Sequence, residues 1–343
     1  MTLRFLKLVK NFIILISSDR IPVNKRKGFT YQRPFRDIEK YVISKTIIAD
    51  GAHIIRRKHN GLGDVVAHQW VCQPIYAFIL KHAFVNLENG MVYLPSKDFH
   101  FFDTCWGWYK PLSRFKPWKA SKLDTESALY VATQSGYHGI MEDLSAILML
   151  RDQKVNFKVV VPLDNNWLIN IIDCLLPGVR DTQKLKRDGW LTSSQLVVTT
   201  KSAMGEFVNP SLIKRLNNAV KNLPDDPSYK IKHTKIFISR ADTTNRRYAD
   251  EDQIFKKYQA LGYVRVELAN MQVYEQIKLF EHATHVAGFH GAGFTNLVWC
   301  QQLVHVHEYY TRDHFNSCFS SLAEIMGHHY TCSEVKDFNL NYS

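Results

Sequence analysis

The chain has 343 residues, enough for two domains of ordinary size. Hydrophobic residues make up 45% and aromatics 13%, which excludes wholesale disorder, and no apolar run approaches the roughly 20 residues of a membrane-spanning helix. The net charge of +12 suits a phosphate-bearing partner or an acidic membrane surface, while basic residues spread along the chain, not massed in one arm, argue against nucleic acid.

Residues 3–16, LRFLKLVKNFIILI, put Arg4, Lys7 and Asn11 on one helical side and Phe5, Leu8, Phe12 and Ile16 on another. Such a basic amphipathic helix suits the surface of an acidic leaflet. The expected location is therefore cytoplasmic, peripheral to the cytoplasmic membrane face. Residues 19–37 are basic and broken by Pro22, Gly28 and Pro34, as in a linker. Ile43–Ile48 and His53–Arg56 read as strands around the hairpin signal Asp50-Gly51. Met91–Leu94 reads as a strand, and residues 99–118 are crowded with aromatics. Strands then follow at Ser127–Thr133, Phe157–Val161 and Gln195–Thr200, with helices at Gly139–Arg151, Trp167–Leu176 and Pro210–Leu223. That alternation predicts an open, mostly parallel sheet. Pro224-Asp225-Asp226-Pro227 is a strong breaker and marks a boundary.

The second half alternates more cleanly. Strands are expected at Lys235–Ser239, Tyr263–Glu267, His285–Phe289, Leu303–His307 and His329–Cys332. Helices are expected at Asp250–Leu261, Val273–Ala283, Ala292–Cys300 and His314–Gly327. This is a doubly wound, Rossmann-like pattern. The domain expectation is a segment and linker at 1–40, an acceptor-side domain at 41–225 and a nucleotide domain at 226–343. Cysteines 72, 105, 174, 300, 318 and 332 form no CxxC pair, so free thiols are expected and a zinc site is not.

Ligands of such sheets bind at the carboxyl ends of the strands. Those ends carry Arg240, with Arg246 and Arg247 in the following loop, then Glu267, then His290, Gly291, Ala292, Gly293, Thr295 and Asn296, then Glu308. Cations, a glycine turn at a helix start and carboxylates are the parts a nucleoside diphosphate asks for: guanidinium forks and N–H groups for phosphate, acids for ribose hydroxyls. His305 and His307 read as packed or hydrogen-bonded, and Asp250-Glu251-Asp252 as acids of a first helical turn. In the first half, His138 and Glu142 stand at i and i+4, with Asp143 next. A carboxylate there could take the proton of an acceptor hydroxyl.

The segments ISRADTTNRRYADEDQIFKKYQALGY and VELANMQVYEQIKLFEHATHVAGFHGAGFTNLVW resemble glycosyltransferase family 61. That family includes plant xylosyltransferases and arabinosyltransferases, animal N-acetylglucosaminyltransferases and bacterial capsular polysaccharide enzymes. The pattern is an I-S-R strand end, an R-R pair, an E-Q helix, then H-G-A-G-x-T-N, supported upstream by Tyr137, His138 and Glu142. Glu142 stands where the family usually has Asp, and Phe294 where it usually has Leu. The resemblance implies a GT-B fold: two Rossmann-like domains facing across a cleft. It implies an inverting, metal-independent transfer from a UDP-sugar (xylose, N-acetylglucosamine or similar) to a glycan hydroxyl, with no cofactor beyond the UDP-sugar co-substrate. The base would be Glu142 or Asp143, with His138 beside it. The alternatives are a GT-B-like sugar-nucleotide epimerase and a non-catalytic membrane-surface binding protein.

Overall fold

The structure is a computed structural model. It describes residues 42–49, 52–59, 65–72, 75–94, 99–101, 120–133, 136–200, 203–204, 207–226, 229, 233–243, 248, 250–311 and 316–335. The amphipathic segment 3–16, the linker 19–37, most of the aromatic-rich stretch, and Arg246 and Arg247 lie outside these residues. Among the described residues no helix is long and apolar enough to cross a membrane, and Cys174, Cys300, Cys318 and Cys332 are free thiols.

The first half begins with seven strands: β1 (Val42–Ala49), β2 (Ala52–His59), β3 (Val65–Cys72), β4 (Ile75–Lys81), β5 (Phe84–Asn86), β6 (Val92–Leu94) and β7 (Phe99–Phe101). Two more follow, β8 (Ser121–Lys122) and β9 (Ser127–Tyr130). Then comes a helical run, α1, in which Gly136–His138 and Ser145–Asp152 are α-helical and Gly139–Leu144 between them is π-wound. β10 (Lys158–Val160), α2 (Asn166–Leu175), β11 (Trp190–Thr192) and β12 (Gln195–Thr199) come next. The short pair β13 (Ala203–Met204) and β14 (Phe207–Val208) leads into α3 (Pro210–Ala219). Asn165 and Asn209 cap α2 and α3 by accepting from the backbone N–H groups of Leu168 and Ser211.

The main sheet of this half has the order β1-β4-β12-β9-β10. β12, β9 and β10 pair in parallel, and β4 alone is reversed, pairing antiparallel with β1 on one side and β12 on the other. The expectation of a mostly parallel sheet holds for strand direction but not at β4, which makes the sheet mixed. Parallel neighbours need a crossover of a dozen or more residues, and no helix is described between β1 and β7, so these strands pair antiparallel. The expected hairpin around Asp50-Gly51 is also corrected: β1 pairs with β4, and β2 with β3. A second sheet, β7-β6-β5-β11-β8, flanks the first.

The second half is β15 (Lys235–Ile238), α4 (Glu251–Ala260), β16 (Val264–Val266), α5 (Val273–Glu281), β17 (His285–Phe289), a 3₁₀ helix (Ala292–Trp299), β18 (His305–Tyr310), α6 (Cys318–Met326) and β19 (His329–Glu334). The five strands form one parallel sheet of order β16-β15-β17-β18-β19. The winding reverses between β15 and β17, and a crevice for ligand belongs at that switch point. α5 opens with a reciprocal cap between Gln272 and Glu275, and α6 ends on Gly327 at φ 76°, the left-handed position glycine fills most readily.

One buried apolar cluster joins the halves. It runs from Leu129, Ile147 and Leu212 to Ile236, Ile277, Leu297 and Phe319. The connecting segment is clamped to α5: Lys278 Nζ donates to Asp225 at 2.7 Å, and Tyr274 Oη accepts from Asp226 N at 2.6 Å. The two halves therefore share one interior.

His285, His307 and His328 have pKa values lowered chiefly by burial. Each lies below its unfolded value of 6.5 when folded, so the unfolded chain binds more protons between the two values. Their stability contribution is complete above about pH 6.5 and is lost as pH falls below it. Urea midpoints should thus fall between pH 7.5 and 5.5, and a flat profile would contradict this.

Candidate active site

β15 runs out into Ser239 and Arg240, and one acid shapes the exit. Glu251, buried in the first turn of α4, accepts from Ser239 Oγ at 2.5 Å and from Arg240 N at 2.8 Å. Ser239 Oγ in turn accepts from Ala241 N. Glu251 was expected as a first-turn acid; its contacts make it the brace of the arginine loop. Asp252 pairs with Arg265 at 2.7 Å.

The glycines after β17 are close-packing positions. A Cβ on Gly288 would lie 2.7 Å from the Ile238 carbonyl oxygen of β15, and one on Gly293 would lie 2.9 Å from the Ile238 side chain. Gly291 differs, because a Cβ there would lie 2.1 Å from Nη1 of Arg240. The guanidinium thus covers the backbone of the turn. Ala292 is exposed and opens the 3₁₀ helix. A cation, backbone N–H groups and a helix start meet at one spot, the arrangement that favours a phosphate.

His290 precedes that turn. Its Nδ1 is 2.5 Å from Oε1 of Glu308, which is fully buried. Tyr330 Oη donates to Oε2 of the same carboxylate at 2.5 Å. Burial, and then the Glu308 charge, push the Tyr330 hydroxyl pKa well up, so it stays a donor. Glu308, expected as a ribose contact, sits beneath His290. Thr295 and Asn296 are buried behind the turn, at 1% and 5% exposure. Asn296 accepts from Trp299 Nε1 at 2.9 Å and donates to the Gly293 carbonyl at 3.1 Å. Glu267 is half-buried at the end of β16 and accepts from Asn270 at 2.7 Å. Tyr248, which follows the Arg246–Arg247 pair, stacks on Phe289 at 4.0 Å.

The first half meets this turn through α1. A Cβ on Gly136 would lie 3.6 Å from that of Ala292. Tyr137 stands edge-on to Phe319 at 5.8 Å, and Phe319 packs on His290 at 5.1 Å. His138, the next residue, is therefore brought near the glycine turn. Its Nδ1 is 2.6 Å from Glu142 Oε1, and the two side chains are 25% and 6% exposed. Asp143 accepts instead from Thr133 Oγ1. The π-wound stretch carries both acids, and such windings recur at functional sites. A small pocket beside them, at the carboxyl ends of β9 and β12, is lined by Tyr130, Ala132, Glu142, Asp143, Thr199 and Thr200.

His285, His305 and His329 stack at successive separations of 4.9 Å across β17, β18 and β19, and His307 Nδ1 lies 2.8 Å from Thr331 Oγ1. No group of three His, Cys, Asp or Glu among the described residues could hold a metal ion. Tyr330 and Phe319 are the site neighbours that the sequence did not single out. Tyr330 depends on the pairing of β18 with β19, which sets Val306 opposite Tyr330, and no local motif encodes that register.

A guanidinium over a glycine turn, with a carboxylate-held histidine near it, is an arrangement that suits a phosphorylated ligand. Sequence comparison narrows this reading. The family model "Glycosyltransferase 61" matches residues 82–307, well over half of the chain, so the protein belongs to glycosyltransferase family 61 and is a glycosyltransferase. No curated protein matches the sequence. Among solved structures, the bacterial iron-containing dodecameric glycosyltransferase TibC from enterotoxigenic E. coli H10407 is similar at TM-score 0.33 and 10% identity, over 87% of this chain and 80% of that one. That likeness is too loose to draw on.

Proposed function

We propose that the enzyme transfers a sugar from a UDP-sugar to a hydroxyl of a glycan acceptor, inverting the anomeric carbon and requiring no metal. Xylose and N-acetylglucosamine are the sugars in view. The division of labour is GT-B-like, with the donor on the second half and the acceptor on the first. The observation that carries the reading is the Arg240 guanidinium over Gly291, in a turn whose next residue, Ala292, lies against Gly136, two residues before the paired His138. Residues 3–16 would hold the enzyme on an acidic membrane surface.

The acceptor O–H proton passes to the His138–Glu142 pair as the oxygen bonds to the anomeric carbon. The bond from that carbon to the diphosphate oxygen breaks, and its electron pair stays on the phosphate. His138 is the more exposed member and would receive the proton; buried Glu142 would fix the ring and balance its charge, the logic of a catalytic triad. Asp143 is the weaker choice for the base because Thr133 already holds its carboxylate. Arg240 and the N–H groups at Gly291–Gly293 would meet the growing negative charge. Arg246 and Arg247 follow Arg240 in sequence and are assigned to the same phosphates. Glu267, at the end of β16, is left as the acid for a ribose hydroxyl.

A thermal-shift panel of nucleotides and sugar nucleotides tests the donor. A ligand at 100 times its Kd should add about 2.7 kcal/mol of stability. UDP and at least one UDP-sugar should raise Tm, and Arg240→Ala should remove most of the rise. A panel in which no nucleoside diphosphate stabilises the protein would sink the proposal.

A further inference from the structure

Tyr330 is half-buried and has had no part in the chemistry so far. We propose that Glu308 and Tyr330 are positioning residues that fix His290 so that its Nε2 donates a hydrogen bond to the departing diphosphate. This rests on the donor site proposed above.

The ring of His290 is held at several points. Its backbone N–H donates to the Tyr309 carbonyl at 2.7 Å. Nδ1 meets Glu308 Oε1, and Phe319 packs on the ring 5.1 Å away. An ionised carboxylate can only accept, so Glu308 makes Nδ1 the donor and sets the ring's orientation. Tyr330, from the neighbouring strand, holds the other carboxylate oxygen. Both oxygens of a fully buried acid are thus occupied, and the acid cannot turn. With Nδ1 turned to Glu308, Nε2 lies on the far edge of the ring. The next residue is Gly291, which Arg240 covers. Because Nδ1–H already goes to Glu308, Nε2 carries a hydrogen only in the imidazolium form, so His290 and Arg240 would serve the same developing charge as two cationic donors, with Glu308 balancing the ring. No proton need leave His290, because the leaving phosphate keeps the electron pair of the broken bond.

The experiment compares UDP with UMP by calorimetry, because only the diphosphate reaches the turn. The full chain is used as wild type, Tyr330→Phe, His290→Gln and Arg240→Ala. Tyr330→Phe removes one oxygen and should fold normally. It should weaken UDP binding about 3–10-fold, leave UMP binding unchanged, and lower kcat more than it changes donor KM. His290→Gln should weaken UDP binding further. With ¹⁵N-histidine labelling, a strongly downfield Nδ1 proton lost in His290→Gln should move in Tyr330→Phe and vanish in Glu308→Gln. That readout needs no substrate, and His290→Gln still decides the matter if a Glu308 variant fails to fold. The proposal is overturned if His290→Gln and Tyr330→Phe keep the full preference for UDP while Arg240→Ala loses it. If Arg240→Ala keeps it too, the donor site itself falls, and this inference falls with it.

Discussion

Glu142→Gln is expected to lower kcat by roughly 10²–10⁴ while leaving donor affinity unchanged. The amide keeps the size of the side chain, and its oxygen can still meet His138, so the fold should persist. It cannot balance an imidazolium formed as the acceptor loses its proton. His138→Asn should cost a similar factor, and the double variant little more than either alone, because paired groups of this kind act as a unit. Glu142→Asp, the residue the family usually carries here, should recover part of the rate. Asp143→Asn should stay within a few-fold of wild type, since its amide oxygen can still accept from Thr133. The measurement is steady-state kinetics beside donor titration. A large loss in Asp143→Asn with full activity in Glu142→Gln would move the base to the neighbouring acid.

The second large effect separates two glycines that look alike in sequence. Gly288→Ala should destabilise the protein by about 1–3 kcal/mol or more, because the new methyl meets the backbone of β15 at 2.7 Å and backbone cannot step aside. Gly291→Ala should leave stability near wild type yet weaken the donor about 10–100-fold. There the methyl meets the far end of Arg240, which can swing away and takes a charged phosphate contact with it. Adding Arg240→Ala to Gly291→Ala should cost nothing further in affinity, whereas it should add to any effect of Gly288→Ala. Denaturant midpoints and calorimetry on the same variants give both readings. A cold-stable Gly291→Ala enzyme with normal donor affinity would contradict the assignment of Arg240 to phosphate.

The second half was legible because each strand, turn and helix switches cleanly from period 2 to period 3.6. His285–Phe289 appears at its expected bounds, and the glycine turn follows it. The first half was less so. β4, with the sequence IYAFILK, lies between β1 and β12 yet carries no alternation to mark it. The π winding at Gly139–Leu144 has no local signal in the sequence, which reads there as a regular helix. For the site, the residue types were readable and their depths were not. Thr295, Asn296 and Glu308 fall at strand or helix ends in sequence, but only the packed sheet turns them inward. His138 and Glu142 shared a helix face on paper; the contact of Gly136, at the start of the same helical run, with Ala292 came from the way α1 seats against the other half.

The continuous core has a bearing on how such an enzyme can diversify. Leu212 and Phe319 belong to one buried cluster, and α3 packs on both α6 and the 3₁₀ helix. Recombination that swaps one half for a homologue's would have to match an interior, side chain by side chain, as strictly as any core repacking demands. New acceptors and new donors are easier to reach by changing the segments that rim the crevice. Lineages of this architecture should therefore keep their seam and vary at their loops, and laboratory chimeras cut near Pro224 should fail by aggregation before they fail by specificity.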